Sequence, residues 1–441
     1  MEHSTNTTGI LEIGGVDVST LKKEYGTPLY VYDVGRIRQN ARAFVETFEQ
    51  EGIPAQVAYA SKAFSSIAMI QVADEEKLSL DVVSEGELYT ALEAGFPVKK
   101  IHMHGNNKSR AELKMAVDAK IGCIVVDNFY EIALLEEILE EQNTTMDVLL
   151  RVTPGIEAHT HDYILTGQED SKFGFDLTSG QADRAFTSLL ESTGMNVIGL
   201  HCHIGSQIFE TSGFLMATRK LFDIMKKWKE EHGYEAKVLN LGGGFGIRYT
   251  EDDDPLSLNE YARALMSEVK FQSETQNYPM PEIWIEPGRA IVGDAGVTLY
   301  EAGSVKEIEG VRTYLSVDGG MTDNIRPALY DARYDIKAAE RMHEEERRTY
   351  AIAGKCCESG DMLIWDATLP DITPGDTLAV FSTGAYGYSM SNNYNRFPKA
   401  AVVFVENGSH QLVIRRESFD EITRFDLNFK TGGDTDEKRL Y

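Results

Sequence analysis

Eight strand-like runs alternate with helix-like runs through the middle of this chain, and that alternation is the strongest constraint on its fold. The runs are 55–60, 79–83, 100–103, 122–126, 147–152, 196–203, 237–241 and 282–286. Between them lie segments of helical character such as Glu85–Ala94, Ser109–Ala119, Asn128–Glu141, Gly213–His232 and Leu258–Gln272. A strand reaches a parallel neighbour only through a crossover, so strand-then-helix repeats build parallel sheets. Eight such units predict an α/β chain closed into a (β/α)8 TIM-like barrel; an open doubly wound sheet is the alternative. A barrel carries its chemistry at the carboxyl ends of its strands. Reactive residue types gather there: Lys62 after the first run, Ser84 after the second, and His201 and His203 ending the sixth, with Gly205 and Ser206 next. Gly242-Gly243-Gly244 follows the seventh and Glu286-Pro287-Gly288-Arg289 ends the eighth.

After about residue 290 the texture changes to short β-rich runs, at Val311–Val317, Thr349–Ala353, Thr377–Val380, Ala400–Val405 and Gln411–Ile414, punctuated by Gly and Asp/Asn. They predict a second, mainly β domain of sandwich or barrel type. Leu11–Tyr32 also reads as strand-like and is expected to join it. The expected organisation is therefore 1–33 with the β domain, 34–290 as the barrel, and 291–441 as the β domain. The run Glu251-Asp252-Asp253-Asp254 reads as a solvated loop and 431–438 as a frayed tail.

At 441 residues the chain is long enough for two domains, and 42% hydrophobic with 26% charged residues is ordinary for a soluble protein. A net charge of −27 argues against nucleic-acid or anionic-membrane partners, which require basic surface. An anionic substrate would need arginines collected locally. No apolar run approaches a transmembrane length, and the polar N-terminus lacks a signal-peptide core, so a cytoplasmic location is expected. Cys123, Cys202, Cys356 and Cys357 form neither a disulfide framework nor a CxxC pair. No metal is expected: around Cys202 only His201 and His203 could converge on one face of a strand.

Single motifs leave two readings open. Lys62, in Ala-Ser-Lys-Ala, is either a lysine that snorkels or pairs with a carboxylate, or a desolvated amine able to form a Schiff base. The triple glycine is a tight turn or an anion cradle; neither GxGxxG nor GxxxxGK[ST] is present. Glu286 and Arg289 form a structural pair, or hold a protonated ring nitrogen and an anion respectively. His203 is a core histidine, or an imidazole lying against a planar ring. Cys357 before Glu358 is ordinary loop chemistry, or a proton donor beside a cation binder.

In order along the chain stand Ala-Ser-Lys-Ala, Thr166–Gly174 (Thr-Gly-Gln-Glu-Asp-Ser-Lys-Phe-Gly), His-Cys-His-Ile-Gly-Ser-Gln, Gly-Gly-Gly-Phe-Gly, Glu-Pro-Gly-Arg, Arg-Pro-Ala-Leu-Tyr, Cys-Glu-Ser-Gly-Asp and Gly-Ala-Tyr-Gly. This ordered set resembles the diaminopimelate decarboxylase family, pyridoxal-phosphate enzymes of the alanine-racemase-like barrel type, from about Tyr30 to about Pro398. The resemblance implies decarboxylation of meso-2,6-diaminopimelate to L-lysine. It implies Lys62 as the Schiff-base residue and His203 stacked on the pyridine ring. Ser206, Gly242, Gly243 and Gly244 surround the phosphate, with the Glu286-Pro287-Gly288-Arg289 loop, and Glu286 meets the ring nitrogen. Arg289, Arg326 and Tyr330 hold the distal carboxylate of the substrate, Glu358 the distal ammonium, and Tyr386 touches cofactor and substrate. Cys357 donates the proton, and Cys357 and Glu358 come from the partner subunit of a homodimer. Cys356 stands where the family often has an apolar residue.

Glu286 supports decarboxylation independently, because a carboxylate keeps a pyridine nitrogen protonated and so stabilises a carbanion. Decarboxylases of ornithine, arginine or carboxynorspermidine are the alternative on the same fold, but Arg326 with Glu358 suits a distal amino-acid group better. A non-catalytic pyridoxal-phosphate carrier would need neither Cys357 nor Tyr386. A metal-dependent barrel hydrolase would use His201 and His203.

Overall fold

The computed structural model describes residues 4–156 and 171–429. Parallel strands Ala55–Ala60, Ser79–Val82, Ile101–Met103, Cys123–Val126, Met146–Thr153, Met195–His201, Val238–Asn240 and Glu282–Ile285 follow one another around a barrel. The eighth pairs with the first through Ile285 and Val57, which closes the sheet. A short ninth strand, Phe175–Asp176, adds beside the fifth. These strands are buried nearly throughout, which is why each reads as a continuous apolar run rather than an alternating one.

Five of the helices that accompany these strands start on side-chain caps. Ser66, Ser84, Ser109, Asn128 and Ser257 each accept a backbone N–H of the first helical turn. Ser84, expected among the chemical residues at the barrel mouth, is thus the N-cap of helix Glu85–Glu93. Its position after a strand is explained by the helix it starts.

The second sheet has nine strands built around Gly296–Ile308, a 13-residue strand that pairs with Leu29–Asp33, Arg312–Val317 and Thr377–Val380. Leu29–Asp33 lies between Gly296–Ile308 and Ala401–Glu406, so the chain enters this sheet before it enters the barrel. Its alternate residues face two cores. Leu29 and Val31 pack with Val297, Leu299, Val403 and Val405. Tyr30 and Tyr32 turn to the barrel side, where Tyr32 stacks on Phe64 at 4.4 Å between ring centroids. Residues 11–32 are not one strand-like stretch. Val18–Tyr25 is a helix, because Asp17 caps it through Ser19 N–H, Val18 and Leu21 bury one face, and Gly26 ends it at φ 66°.

One buried ion pair ties the loop after the third strand to the helix after the fourth. The Lys108 ammonium donates to Gly105 O at 2.8 Å, Val125 O at 2.7 Å and Glu131 Oε1 at 2.8 Å, and both side chains are 1% exposed. Lys108→Met would strand the Glu131 carboxylate in the interior, a change expected to cost about 3–5 kcal/mol. Lys108→Met/Glu131→Gln should recover much of the loss, read as the urea midpoint by circular dichroism. An unchanged midpoint in the single variant would show that the pair contributes little.

Candidate active site

Lys62 lies in a single turn, Ser61–Ala63, directly after the first barrel strand. The Tyr59 hydroxyl donates to Phe64 O at 2.7 Å and folds that turn back on its own strand. Burial opposes the Lys62 charge, but Tyr386, Asp81 and Glu286 outweigh burial and Arg151, and they hold its pKa above the ordinary lysine value. The loop after the eighth strand abuts this turn. Ala60 N–H donates to Pro287 O at 3.2 Å, and a Cβ on Gly288 would sit 3.0 Å from the Ala60 Cβ. The second domain reaches the same place: Tyr386 N–H donates to Ala63 O at 2.8 Å from a left-handed backbone at φ 61°. A non-glycine residue held there stores strain of about 1–3 kcal/mol, a cost that concentrates at functional sites.

Glu286 is the buried charge of this mouth. It accepts hydrogen bonds from His201 Nε2 at 3.0 Å and Asn240 Nδ2 at 2.6 Å, and His104 Nε2 lies 3.0 Å from Oε1 at an angle outside a hydrogen bond. Burial alone would raise its pKa, but the two histidines reverse the effect and hold it well below the usual carboxylate range. Asp81 shares the pocket and goes the other way. Burial, with Glu286 nearby, pushes it up to about 6 against the pull of His104. His201 therefore serves Glu286. Among the described residues, the trio whose ligand-type atoms fall within 4.8 Å of one another is His104, His201 and Glu286. His203 lies beyond the end of its strand, and its Nδ1 accepts Gly243 N–H at 3.3 Å. Burial, Lys62 and Arg151 hold its pKa well below the ordinary histidine value, so its ring is neutral.

The triple glycine is a cradle with no room for side chains. A Cβ on Gly242 would lie 2.5 Å from Cys202 O, one on Gly243 2.1 Å from Glu286 O, and one on Gly244 2.3 Å from Gly205 O. Gly242 and Gly244 also have φ of 69° and 108°. Beside it, Arg289 donates to Ser206 Oγ at 2.9 Å and to the Tyr249 hydroxyl. The buried Arg289 Nε has no hydrogen-bond partner among the described residues. Arg326, at the start of helix Arg326–Tyr330, donates to Tyr249 Oη at 3.0 Å and Tyr334 Oη at 2.6 Å. Tyr330 lies at the outer end of that helix, 39% exposed.

These groups fit pyridoxal phosphate. An ionised carboxylate at the floor suits a protonated ring nitrogen, a neutral imidazole suits a ring face, and a glycine cradle beside Ser206 suits a phosphate. Lys62 is the amine at the same mouth.

Cys357 and Glu358 are not brought to it by their own chain. Both are exposed. Cys357 N–H donates to Asn395 Oδ1 at 2.8 Å and its carbonyl accepts from Tyr394 at 3.4 Å, both within the second domain. The neighbouring Cys356 is buried over Asp361, and burial and that carboxylate push its thiol up to about 11. Of the Thr166–Gly174 motif, 166–170 lie outside the described residues. Phe173 covers Arg151 at 4.4 Å, and Gly174 N–H donates to Asp127 Oδ1 at 3.0 Å. Sequence reading missed His104, Asn240, Arg151 and Tyr249. The first three lie in or just after a barrel strand, the only signal that could have marked them; Tyr249 follows the glycine loop without one.

The pyridoxal-dependent decarboxylase, pyridoxal binding domain family matches residues 34–293. The diaminopimelate decarboxylase of Bacillus subtilis (strain 168) is 62% identical over 427 residues, 97% of this chain and 97% of that protein. That of Bacillus methanolicus is 64% identical over 412 residues, 93% and 95% of the two chains. The crystal structure of diaminopimelate decarboxylase from M. jannaschii in complex with L-lysine matches at a TM-score of 0.91 and 35% identity, over 97% of this chain and 98% of that one. With the barrel mouth, the buried carboxylate and the lysine already in place, these similarities lead to one conclusion: the chain belongs to the diaminopimelate decarboxylase family of pyridoxal-dependent decarboxylases.

Proposed function

We propose that the residues gathered at the barrel mouth convert meso-2,6-diaminopimelate to L-lysine and CO2, with the partner chain of a homodimer completing each site. The observation that carries the reading is the buried, ionised Glu286 at the mouth that also holds Lys62. Bound through Lys62, pyridoxal phosphate supplies the electron sink for the pair left when the carbon–CO2 bond breaks.

The chain's own groups do the rest. Ser206 and the glycine cradle, helped by the Glu286–Arg289 loop, would hold the phosphate, and His203 would lie against the ring. Glu286 keeps the ring nitrogen protonated, which favours the carbanion pathway. Arg289, Arg326 and Tyr330 hold the distal carboxylate, Glu358 of the partner subunit holds the distal ammonium, and Tyr386 lines the cleft between cofactor and substrate. The thiol of Cys357 of the partner subunit gives its proton to the carbon that lost CO2 and regains one from solvent. The exposure of Cys357 and Glu358 supports their acting in trans, as does the burial of Cys356. No helix among the described residues is long and apolar enough to cross a membrane, and all four cysteines are free; both accord with a cytoplasmic enzyme.

Lys62→Ala should lose both the visible absorbance that borohydride removes from wild type and nearly all turnover. A yellow, active variant would exclude Lys62 as the anchor. Glu286→Gln should cut kcat by about 100-fold or more at saturating cofactor, with a much smaller loss of cofactor affinity. An unchanged kcat with weaker cofactor binding would make Glu286 structural. Mixing inactive Lys62→Ala and Cys357→Ala chains should restore activity. Random exchange makes about half the dimers mixed, each with one intact site of two, so recovery should approach about a quarter of wild type. Cys356→Ala should stay largely active. Verified subunit exchange without recovery would return Cys357 to its own chain's pocket or remove it as the acid.

A further inference from the structure

Among the described residues, Tyr249 is the hydroxyl that Arg289 and Arg326 share. It follows the glycine loop, and the acidic run read as solvent-facing fixes it there. Asp253 Oδ2 accepts Tyr249 N–H at 2.9 Å and Thr250 N–H at 3.0 Å. The phenolic oxygen then accepts one N–H from Arg289 and one from Arg326, the latter at 3.0 Å. Both guanidiniums also lie over its ring, 5.6 Å and 5.1 Å from the centroid, and Tyr334 packs edge-on at 5.3 Å. Burial would raise the Tyr249 pKa, but the two cations outweigh it and hold it below the ordinary tyrosine value. The arginines come from different parts of the chain, Arg289 from the barrel and Arg326 from the second domain. Two like charges brought together across a domain boundary repel unless an acceptor sits between them. A phenol supplies that acceptor without a full negative charge, and with both lone pairs engaged its O–H remains as a donor.

We propose that Tyr249 is a specificity-determining positioning residue, which holds Arg289 and Arg326 as one receptor for the distal carboxylate of the substrate. The proposal deepens the substrate-clamp reading above and rests on it. A carboxylate ligand should depend on Tyr249, and a ligand of the same length without the carboxylate should not.

The test is competitive inhibition of diaminopimelate turnover in holoenzyme saturated with cofactor, by L-lysine and by cadaverine, which lacks that carboxylate. Wild type should bind L-lysine more tightly than cadaverine. Tyr249→Phe keeps the ring and removes the bridge. It should weaken L-lysine and raise the KM for diaminopimelate by about 10-fold or more. The cadaverine constant and kcat should each move less than threefold. Equal loss for both ligands would mean a general structural role and overturn the proposal, as would no loss for either. A wild type that fails to favour L-lysine over cadaverine would overturn the clamp itself and this proposal with it. If Tyr249→Phe is insoluble, Asp253→Ala loosens the turn while keeping the phenol. It must then show the same lysine-selective weakening, and its absence counts against Tyr249.

Discussion

An ionised carboxylate at the centre of a barrel mouth is the interaction on which the rest of this site depends. Glu286 is buried, and an unpaired charge there would be prohibitively costly. Residues at three other strand ends meet that cost: His104 after the third strand, His201 at the end of the sixth and Asn240 at the end of the seventh. The barrel's closure brings them together, so the fold itself is what makes the charge tenable. The network also separates two acids in one pocket. With Glu286 held ionised, Asp81 beside it takes up a proton as the pH falls towards about 6. One carboxylate is committed to a fixed charge, and the other is left the more readily protonated of the two.

In the proposed site, the groups come from both the barrel and the second sheet. The barrel contributes the amine, the carboxylate, the imidazole and the glycine cradle. The second domain contributes Arg326 and Tyr386, and is held to the barrel by the Tyr386–Ala63 backbone bond and by the stack of Tyr32 on Phe64. The ring stack of Tyr32 on Phe64 lies two residues from Lys62, so packing between domains reaches directly into the reactive turn. The early strand Leu29–Asp33 is what permits this, since it places the first part of the chain inside the second sheet.

The barrel was legible in the sequence because strands buried on both faces leave uninterrupted apolar runs between capped helices. The second sheet was less so. Its central strand, Gly296–Ile308, starts buried and ends exposed, and it serves three partners in turn, a pattern without one simple period. In the site, motif residues such as Lys62, the triple glycine and Glu286 announced themselves by their spacing. His104, Asn240 and Tyr249 did not, because each is a single polar residue whose partner lies more than 30 positions away, and only the closed barrel brings the two together. Ser84 misled for the opposite reason: a helix cap and a catalytic hydroxyl look alike after a strand.

The choice of partner for the buried arginines has its own logic in a chain of net charge −27. Acidic residues are abundant, and a carboxylate beside Arg289 or Arg326 would satisfy either guanidinium well. It would also cancel the positive charge on which the proposed carboxylate receptor depends. Tyr249 and Tyr334 give Arg326 two acceptors without a formal charge, and Tyr249 does the same for Arg289. The arginines stay buried and hydrogen-bonded yet keep most of their field. Buried in a low-dielectric pocket, that field is screened far less than the exposed acids outside it, whose reach falls off over about 8 Å at physiological ionic strength. In a strongly acidic protein, two buried cations thus keep their charge uncancelled, which is what the proposed anion receptor requires.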